Sequence, residues 1–186
     1  MQRPIPAAVV RMLREPMPTA ADFKPTKFTP AETKAWFACH FLRFVSCDFP
    51  KHHFTQRFYS QVMHTFGMVA HFNSIGFWTE YFTTTAGKVE FIDQVIHHHC
   101  FGDPAHTFSD VEREIIRRLR QVDLLGFYRG RSRAERDVAD RAEFTRLKAR
   151  FEPTGLPAQV AIPSAPIIGR RSQSSTIAAQ LSFTIG

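Results

Sequence analysis

Large apolar residues recur every three or four positions through the first half of the chain, and this spacing constrains the fold more than any other feature. Phe37, Phe41 and Phe44 follow one another in this way, and Phe54 and Phe58 repeat the pattern in the next segment. Residues so spaced lie on one face of an α-helix, whereas a half-buried strand requires strict alternation. Because no alternating run is found, the sequence predicts an all-α fold.

The aromatic content supports a substantial core. The chain has 186 residues, of which 19 are phenylalanine. Large aromatic side chains contribute much of the burial energy of a folded domain. We therefore expect a single helical domain of about five or six helices over residues 28 to 151, with an aromatic core in 28 to 108 and basic helices in 109 to 151.

Capping signals predict where several helices begin and end. Three Ser/Thr residues are followed by glutamate three positions later, the pattern of a capping box at a helix N-terminus. Glycine at two positions predicts a break before the last helix. A second long helix is expected to end at Asn73, and a helix over "KVEFIDQVIHHH" is expected to follow a break at "TTTAG". The predicted boxes are Thr29 with Glu32, Ser109 with Glu112 and Ser132 with Glu135, and the breaking glycines are Gly126 and Gly130.

Both ends of the chain have compositions typical of flexible segments. Residues 1 to 27 contain five prolines and predict a flexible arm, with at most a short helical turn around Val9 to Leu13. Residues 152 to 186 are rich in proline and serine and predict a flexible tail.

Three cysteines without paired short spacing form no disulfide framework or zinc knuckle. No apolar run is long enough for a signal sequence or a membrane span. We therefore expect a cytoplasmic protein without a membrane partner.

Charge is distributed unevenly along the chain. Residues 28 to 108 contain five basic and six acidic residues, whereas residues 110 to 150 contain twelve basic and eight acidic ones. Arginine dominates the second group, and its planar fork suits contacts with phosphate. The segment "YRGRSR" is expected to form a loop before a helix N-terminus, where backbone N–H groups also favour an anion. The residues predicted to contact nucleic-acid phosphates are Arg113, Arg117, Arg118, Arg120, Arg129, Arg131, Arg133, Arg136, Arg146, Lys148 and Arg150.

These observations predict a non-enzymatic accessory subunit that binds nucleic-acid phosphates within a larger (ribo)nucleoprotein complex. Two other interpretations of the basic region stay open. Its acidic residues can pair with arginines at helical spacing, which would make the last helix an ordinary solvated surface. Alternatively, the narrow apolar stripe of that helix, together with the tail, can engage a protein partner, as in an adaptor or inhibitor.

The segment "QVIHHHCFGDPAH" suggests a third alternative, a metal-dependent enzyme. Neighbouring residues on a helix point about 100° apart, so consecutive histidines do not converge on one ion. Histidines in a last helical turn are also explained by the helix dipole. The candidate ligands are His99, Cys100, Asp103 and His106, completed by His64 or His71. Because no nucleophile or nucleotide-binding motif occurs, we assign no catalytic residue, cofactor or small-molecule substrate.

Overall fold

The computed structural model of the chain describes residues 4 to 67, 73 to 98 and 102 to 151. Within these ranges it contains seven α-helices and no strand, which confirms the predicted all-α single domain. The structure thus has at least one helix more than the expected five or six, and this additional helix lies near the N-terminus. The helices are α1 (Ala7–Arg14), α2 (Ala31–Ser46), α3 (Gln56–Phe66), α4 (Ser74–Phe82), α5 (Thr85–His97), α6 (Ser109–Gln121) and α7 (Leu124–Phe151).

The core is built around the phenylalanines of α2, as their spacing predicts. Phe37, Phe41 and Phe44 are fully buried. The ring of Phe41 lies 5.2 Å from that of Phe66 and 6.1 Å from that of Phe91, measured between centroids. These tilted and stacked ring contacts add to the stabilisation from buried apolar area. The aromatic cluster thus joins α2 to α3 and α5.

A glycine and two N-cap residues determine where α3 ends and where α4 and α5 begin. Gly67 adopts a left-handed conformation with φ 58°, and α3 ends there rather than at Asn73. Residues 68 to 72 lie outside the described ranges. Asn73 instead caps α4, because its side chain accepts a hydrogen bond from the Gly76 N–H. Thr84 caps α5 in the same way through the Gly87 N–H, so "TTTAG" both ends α4 and begins α5.

The N-terminal segment differs from the prediction of a flexible arm. Residues 7 to 14 form a helix, and Leu13 and Phe23 are buried in the core. Arg118 on α6 donates hydrogen bonds from Nη1 to the Leu13 carbonyl (2.9 Å) and from Nη2 to the Pro16 carbonyl (2.6 Å). Prolines break helices but do not prevent a segment from packing against a core. The arm prediction is therefore wrong for residues 4 to 27.

The C-terminal basic region also differs, because α7 is one helix of 28 residues that begins at Leu124. The chain turns at Asp123 (φ 46°), whose side chain accepts a hydrogen bond from the Gly126 N–H. Glycine inside a helix costs only about 1 kcal/mol, which burial of Leu124 and Tyr128 exceeds. The predicted break at Gly126 and Gly130 is wrong, and "YRGRSR" is helical rather than a loop.

The three predicted capping boxes are not formed. Pro30 is the N-cap of α2 and has no side-chain bond, Phe108 is the N-cap of α6, and Ser132 lies inside α7. Ser109 Oγ donates instead to the Gly102 carbonyl at 2.6 Å. None of the helices in the described ranges is both long and apolar enough to cross a membrane. The predicted tail, residues 152 to 186, lies outside them.

Candidate nucleic-acid interface

Helix α6 presents three of the predicted arginines on one exposed face. Arg113, Arg117 and Arg120 follow one another at intervals of four and three. Arg117 binds both carboxylate oxygens of Glu114, each at 2.8 Å, and Arg120 donates to the Ile96 carbonyl at 2.9 Å. These contacts hold the arginine side chains along the helix while leaving the face accessible.

Arg118 on α6 is also predicted to contact phosphate, but its side chain points into the domain. Its side chain is only 5% exposed, and its guanidinium group reaches Glu114 as well as the Leu13 and Pro16 carbonyls. Its donors are thus directed at the N-terminal segment. Arg118 lines a pocket against the N-terminal segment together with Arg113 and Arg117, but its own donors are occupied by these partners.

Arg131 is the second predicted residue that lies in the interior, where it contacts Asp48. The Asp48 carboxylate accepts hydrogen bonds from Lys88 Nζ (2.8 Å), the Tyr128 hydroxyl (2.7 Å) and Arg131 Nη1 (3.1 Å). Asp48 lies in a turn after α2 with φ 62°, a conformation that aspartate tolerates better than most residues. Two buried cations thus share one carboxylate.

This arrangement shifts the pKa values of its members. Burial raises the pKa of Asp48, but hydrogen bonds from Lys88 and Tyr128 and the nearby cations outweigh it and hold the pKa below its ordinary value. Burial and the Asp48 carboxylate together raise the pKa of Tyr128, so its hydroxyl remains a donor. At neutral pH Asp48 is ionised and bridges α2, α5 and α7.

A second set of predicted arginines lines an open groove of about 540 Å³ between the start of α5 and the middle of α7. Arg129, Arg133 and Arg136 contribute from α7, and Thr84 and Thr85 contribute from α5. Arg129 forms an ion pair with Asp93 (2.7 Å). Within the described residues, Arg133 and Arg136 form no ion pair. The groove therefore combines unneutralised cations with the N-terminus of a helix, both of which favour an anion.

The distal part of α7 is fully exposed. Every residue from Arg133 to Phe151 is accessible to solvent, including Arg146, Lys148 and Arg150. Arg146 pairs with Glu143 at 2.6 Å. Three large apolar side chains, those of Phe144, Leu147 and Phe151, are also exposed here and share one helix face because they are three and four positions apart. The distal half thus has the narrow apolar stripe that its sequence predicts, without a covering element in the described part of the chain.

The histidine-rich candidates cannot be assembled into one site from the described residues. His71, His99 and Cys100 lie outside them. Asp103 and His106 belong to an exposed turn, in which Asp103 Oδ1 accepts the Ala105 N–H, and His64 packs its ring 5.6 Å from that of Phe108. The described ranges contain no group of three or more His, Cys, Asp or Glu residues that could hold a metal ion.

Two threonines of the groove were missed by the sequence analysis. The run "TTTAG", to which Thr84 and Thr85 belong, predicts only a helix break. Because threonine is among the preferred N-cap residues, the sequence could have predicted that α5 begins here. That this helix start faces Arg133 and Arg136 depends on the packing of α5 against α7, which no local pattern encodes.

No protein-family model, curated protein or solved structure matches the chain.

Proposed function

We propose that the protein binds nucleic-acid phosphates through the groove between α5 and α7, as a non-enzymatic accessory subunit of a larger (ribo)nucleoprotein assembly. The observation that supports this most directly is the convergence of Arg129, Arg133 and Arg136 on one concave surface. Arginine side chains that face a groove can contact successive phosphates, which arginines scattered over a convex helix cannot do equally well.

The charge state of these arginines also supports the proposal. Arginine remains protonated at any physiological pH. A cation with a carboxylate partner must exchange that partner for a phosphate, whereas an unpaired one only exchanges water and counterions. Arg133 and Arg136 have no such partner among the described residues, so they are the strongest candidates for direct contact.

The remaining exposed basic residues lie outside the groove. Those on α6 are Arg113, Arg117 and Arg120, and those on distal α7 are Arg146, Lys148 and Arg150. In the proposal they attract a polyanion without fixing its position. Arg118 and Arg131 are left out of the contact set, because their side chains are buried against Pro16 and Asp48.

The proposal is tested with the double variant Arg133→Gln/Arg136→Gln. The affinity of the full-length protein for a fluorescently labelled single-stranded oligonucleotide is measured over a range of salt concentrations. We expect an affinity loss of about tenfold or more at low salt, and a log–log salt slope that is less steep by roughly 1.4 because two phosphate contacts are lost.

The matched control is Arg141→Gln/Arg146→Gln, which removes the same charge from the same helix outside the groove. At about 0.15 M salt its affinity is expected to fall by only about twofold, because long-range attraction is then screened within roughly 8 Å. Absence of oligonucleotide binding at low salt, or equal losses in the two double variants, would refute the proposal.

A second candidate function, protein–protein adaptor, is favoured by the exposed apolar stripe of distal α7. Phe144 and Phe151 are 67% and 69% exposed. Residues 141 to 151 contain four basic side chains and one acidic one, Glu143. Charge complementarity therefore predicts a partner protein whose apolar groove is bordered by acidic residues.

This candidate is tested with Phe144→Ser/Phe151→Ser. A nuclease-treated extract of the native host is used to capture partners on wild-type protein, and any captured protein is purified and titrated directly. Adaptor function predicts binding that varies little with salt and is lost in the serine variant. Binding that the nuclease abolishes, or that the serine variant retains, would contradict it.

A further inference from the structure

One acidic side chain, Glu135, lines the arginine groove. It is the only carboxylate among the described residues that line it, beside Arg129, Arg133 and Arg136. Its Oε1 accepts a hydrogen bond from Thr85 Oγ1 at 2.8 Å and lies 3.6 Å from Arg131 Nε. Glu135 is therefore held at a defined place in the groove, although its side chain is 45% exposed.

The position of this carboxylate is one that suits an external anion. Thr85 is the first residue of α5, and the first N–H groups of a helix have no intrahelical acceptor. Hydroxyl donors, a helix N-terminus and arginines are together the usual ligands of a phosphate group. A carboxylate and a phosphate present similar acceptor oxygens, so they compete for the same donors.

We infer that Glu135 is an internal competitor in the groove, which occupies the position of a phosphate group and must be displaced when one binds. This inference rests on the proposed function of the groove. It also limits the ligand class. A single free phosphate must overcome the Glu135 carboxylate with one group, whereas a nucleic-acid backbone also contacts the neighbouring arginines and displaces Glu135 more readily. Glu135 therefore favours polyanions over isolated phosphate.

The test compares two variants that each remove one negative charge from α7. Glu135→Gln retains an oxygen that can accept the Thr85 hydroxyl, so the local structure is preserved. Glu143→Gln is the matched control, because Glu143 pairs with Arg146 outside the groove. Oligonucleotide affinity is expected to rise about tenfold in Glu135→Gln and less than about twofold in Glu143→Gln, since screening weakens the distant charge.

A second measurement locates the effect. Inorganic phosphate is titrated into each protein, and the backbone amide resonances of Thr85 and Ala86 are followed by NMR. We expect these resonances to shift at lower phosphate concentration in Glu135→Gln than in wild type or Glu143→Gln. Thermal denaturation of all three proteins verifies that each is folded.

The outcomes separate this inference from the proposed function. If Arg133→Gln/Arg136→Gln loses binding but Glu135→Gln gains no more than Glu143→Gln, the competitor role is refuted and the phosphate groove remains. If Glu135→Gln binds more tightly but the arginine variant binds like wild type, the groove proposal fails. Absence of binding in every variant overturns both.

Discussion

The two halves of α7 have the same arginine-rich composition but very different surroundings. In the first two turns, Leu124, Leu125, Tyr128 and Arg131 are buried against the rest of the domain. From Arg133 onwards, every residue is exposed. Arg131 and Arg133 are only two positions apart, yet one binds Asp48 in the interior and the other faces an open groove.

The difference shows that arginine density alone does not identify a binding surface. An arginine that meets a carboxylate or a carbonyl inside the fold holds helices together, and its loss leaves buried groups without partners. One that faces solvent contributes little to stability and is available to a ligand. Mutations of the buried and of the exposed arginines should therefore affect different measurements, stability for the first and binding for the second.

The largest stability effect is expected for Asp48→Asn, which removes the carboxylate shared by Lys88 and Arg131. Asparagine tolerates the positive φ of this turn, so the backbone is retained. Lys88 then loses its counter-charge and Arg131 retains only Glu135, 3.6 Å from its Nε, and we expect a loss of about 3 kcal/mol in the free energy of unfolding. Chemical denaturation measures it.

The comparison with Arg133→Ala makes this prediction specific. Arg133 is exposed and contacts no carboxylate in the described ranges, so its removal should change the free energy of unfolding by less than about 0.5 kcal/mol. Similar losses in the two variants would mean that the contacts of the buried Arg131 contribute no more to stability than the exposed Arg133.

A somewhat smaller effect is expected for Arg118→Ala. This substitution removes the hydrogen bonds to the Leu13 and Pro16 carbonyls, each made by a charged donor. We expect a stability loss of about 2 kcal/mol. Hydrogen exchange in residues 7 to 14 should accelerate more than exchange in α2, because α1 loses its link to α6. Uniform acceleration in both helices would argue against a local anchoring role.

The sequence predicted the helical core well, because apolar periodicity is written into each segment. The spacing of Phe37, Phe41 and Phe44 was sufficient to place α2 and its buried face. The N-terminal segment and the start of α7 were not predicted, since both depend on tertiary contacts. Leu13 and Phe23 become core residues only because Arg118 and α2 lie opposite them, and the prolines around them resemble those of a flexible arm.

For the candidate site, sequence reasoning identified the arginines but not their roles. Arg118 and Arg131 each lie three positions after a fully buried residue, on the inner face of their helices, but the partners that they bind are more than 80 residues away in the chain. The groove combines side chains of α5 and α7, and Thr85 and Glu135 are 50 positions apart. No spacing rule links residues over such distances.

Acid should destabilise the fold through Asp48 and, in the same direction, through Glu114 on α6. Burial raises the pKa of the Glu114 carboxyl, but hydrogen bonds from Arg117 and Arg118 lower it further, so its folded value is depressed like that of Asp48. A carboxyl group whose pKa is depressed in the folded protein stabilises the fold at every pH above its pKa in the unfolded chain. That unfolded pKa is about 3.9 for aspartate and 4.3 for glutamate. This stabilisation is lost as pH falls through the folded value.

Burial of the His53 ring and its cationic neighbours hold the pKa of that imidazole below its ordinary value, so the free energy of unfolding should begin to decrease as pH falls through about 6.5. It should decrease further below about pH 5, where the carboxylates gain protons. Denaturation at a series of pH values measures this decrease, which should be shallower below about pH 5 in Asp48→Asn because Asp48 no longer titrates. An unchanged acid slope in that variant would show that Asp48 does not have a depressed pKa in the folded protein.

The smallest effect is expected for the ion pair between Arg146 and Glu143 on the distal half of α7. The two side chains are 72% and 50% exposed. Such a pair gains little because water screens it and both long side chains lose freedom. A double-mutant cycle with Arg146→Ala and Glu143→Ala should give a coupling energy of about 0.3 kcal/mol.

This weak pair is the exposed counterpart of the contact between Arg131 and Asp48 on the same helix. If burial decides the role of each arginine, the coupling of Arg131 with Asp48 should exceed that of Arg146 with Glu143 several-fold, although the distances, 3.1 and 2.6 Å, favour the exposed pair. Comparable coupling energies would show that proximity matters more than surroundings. In that case exposed arginines of distal α7 would have to be considered structural as well, and the groove would lose its distinction from the rest of the helix.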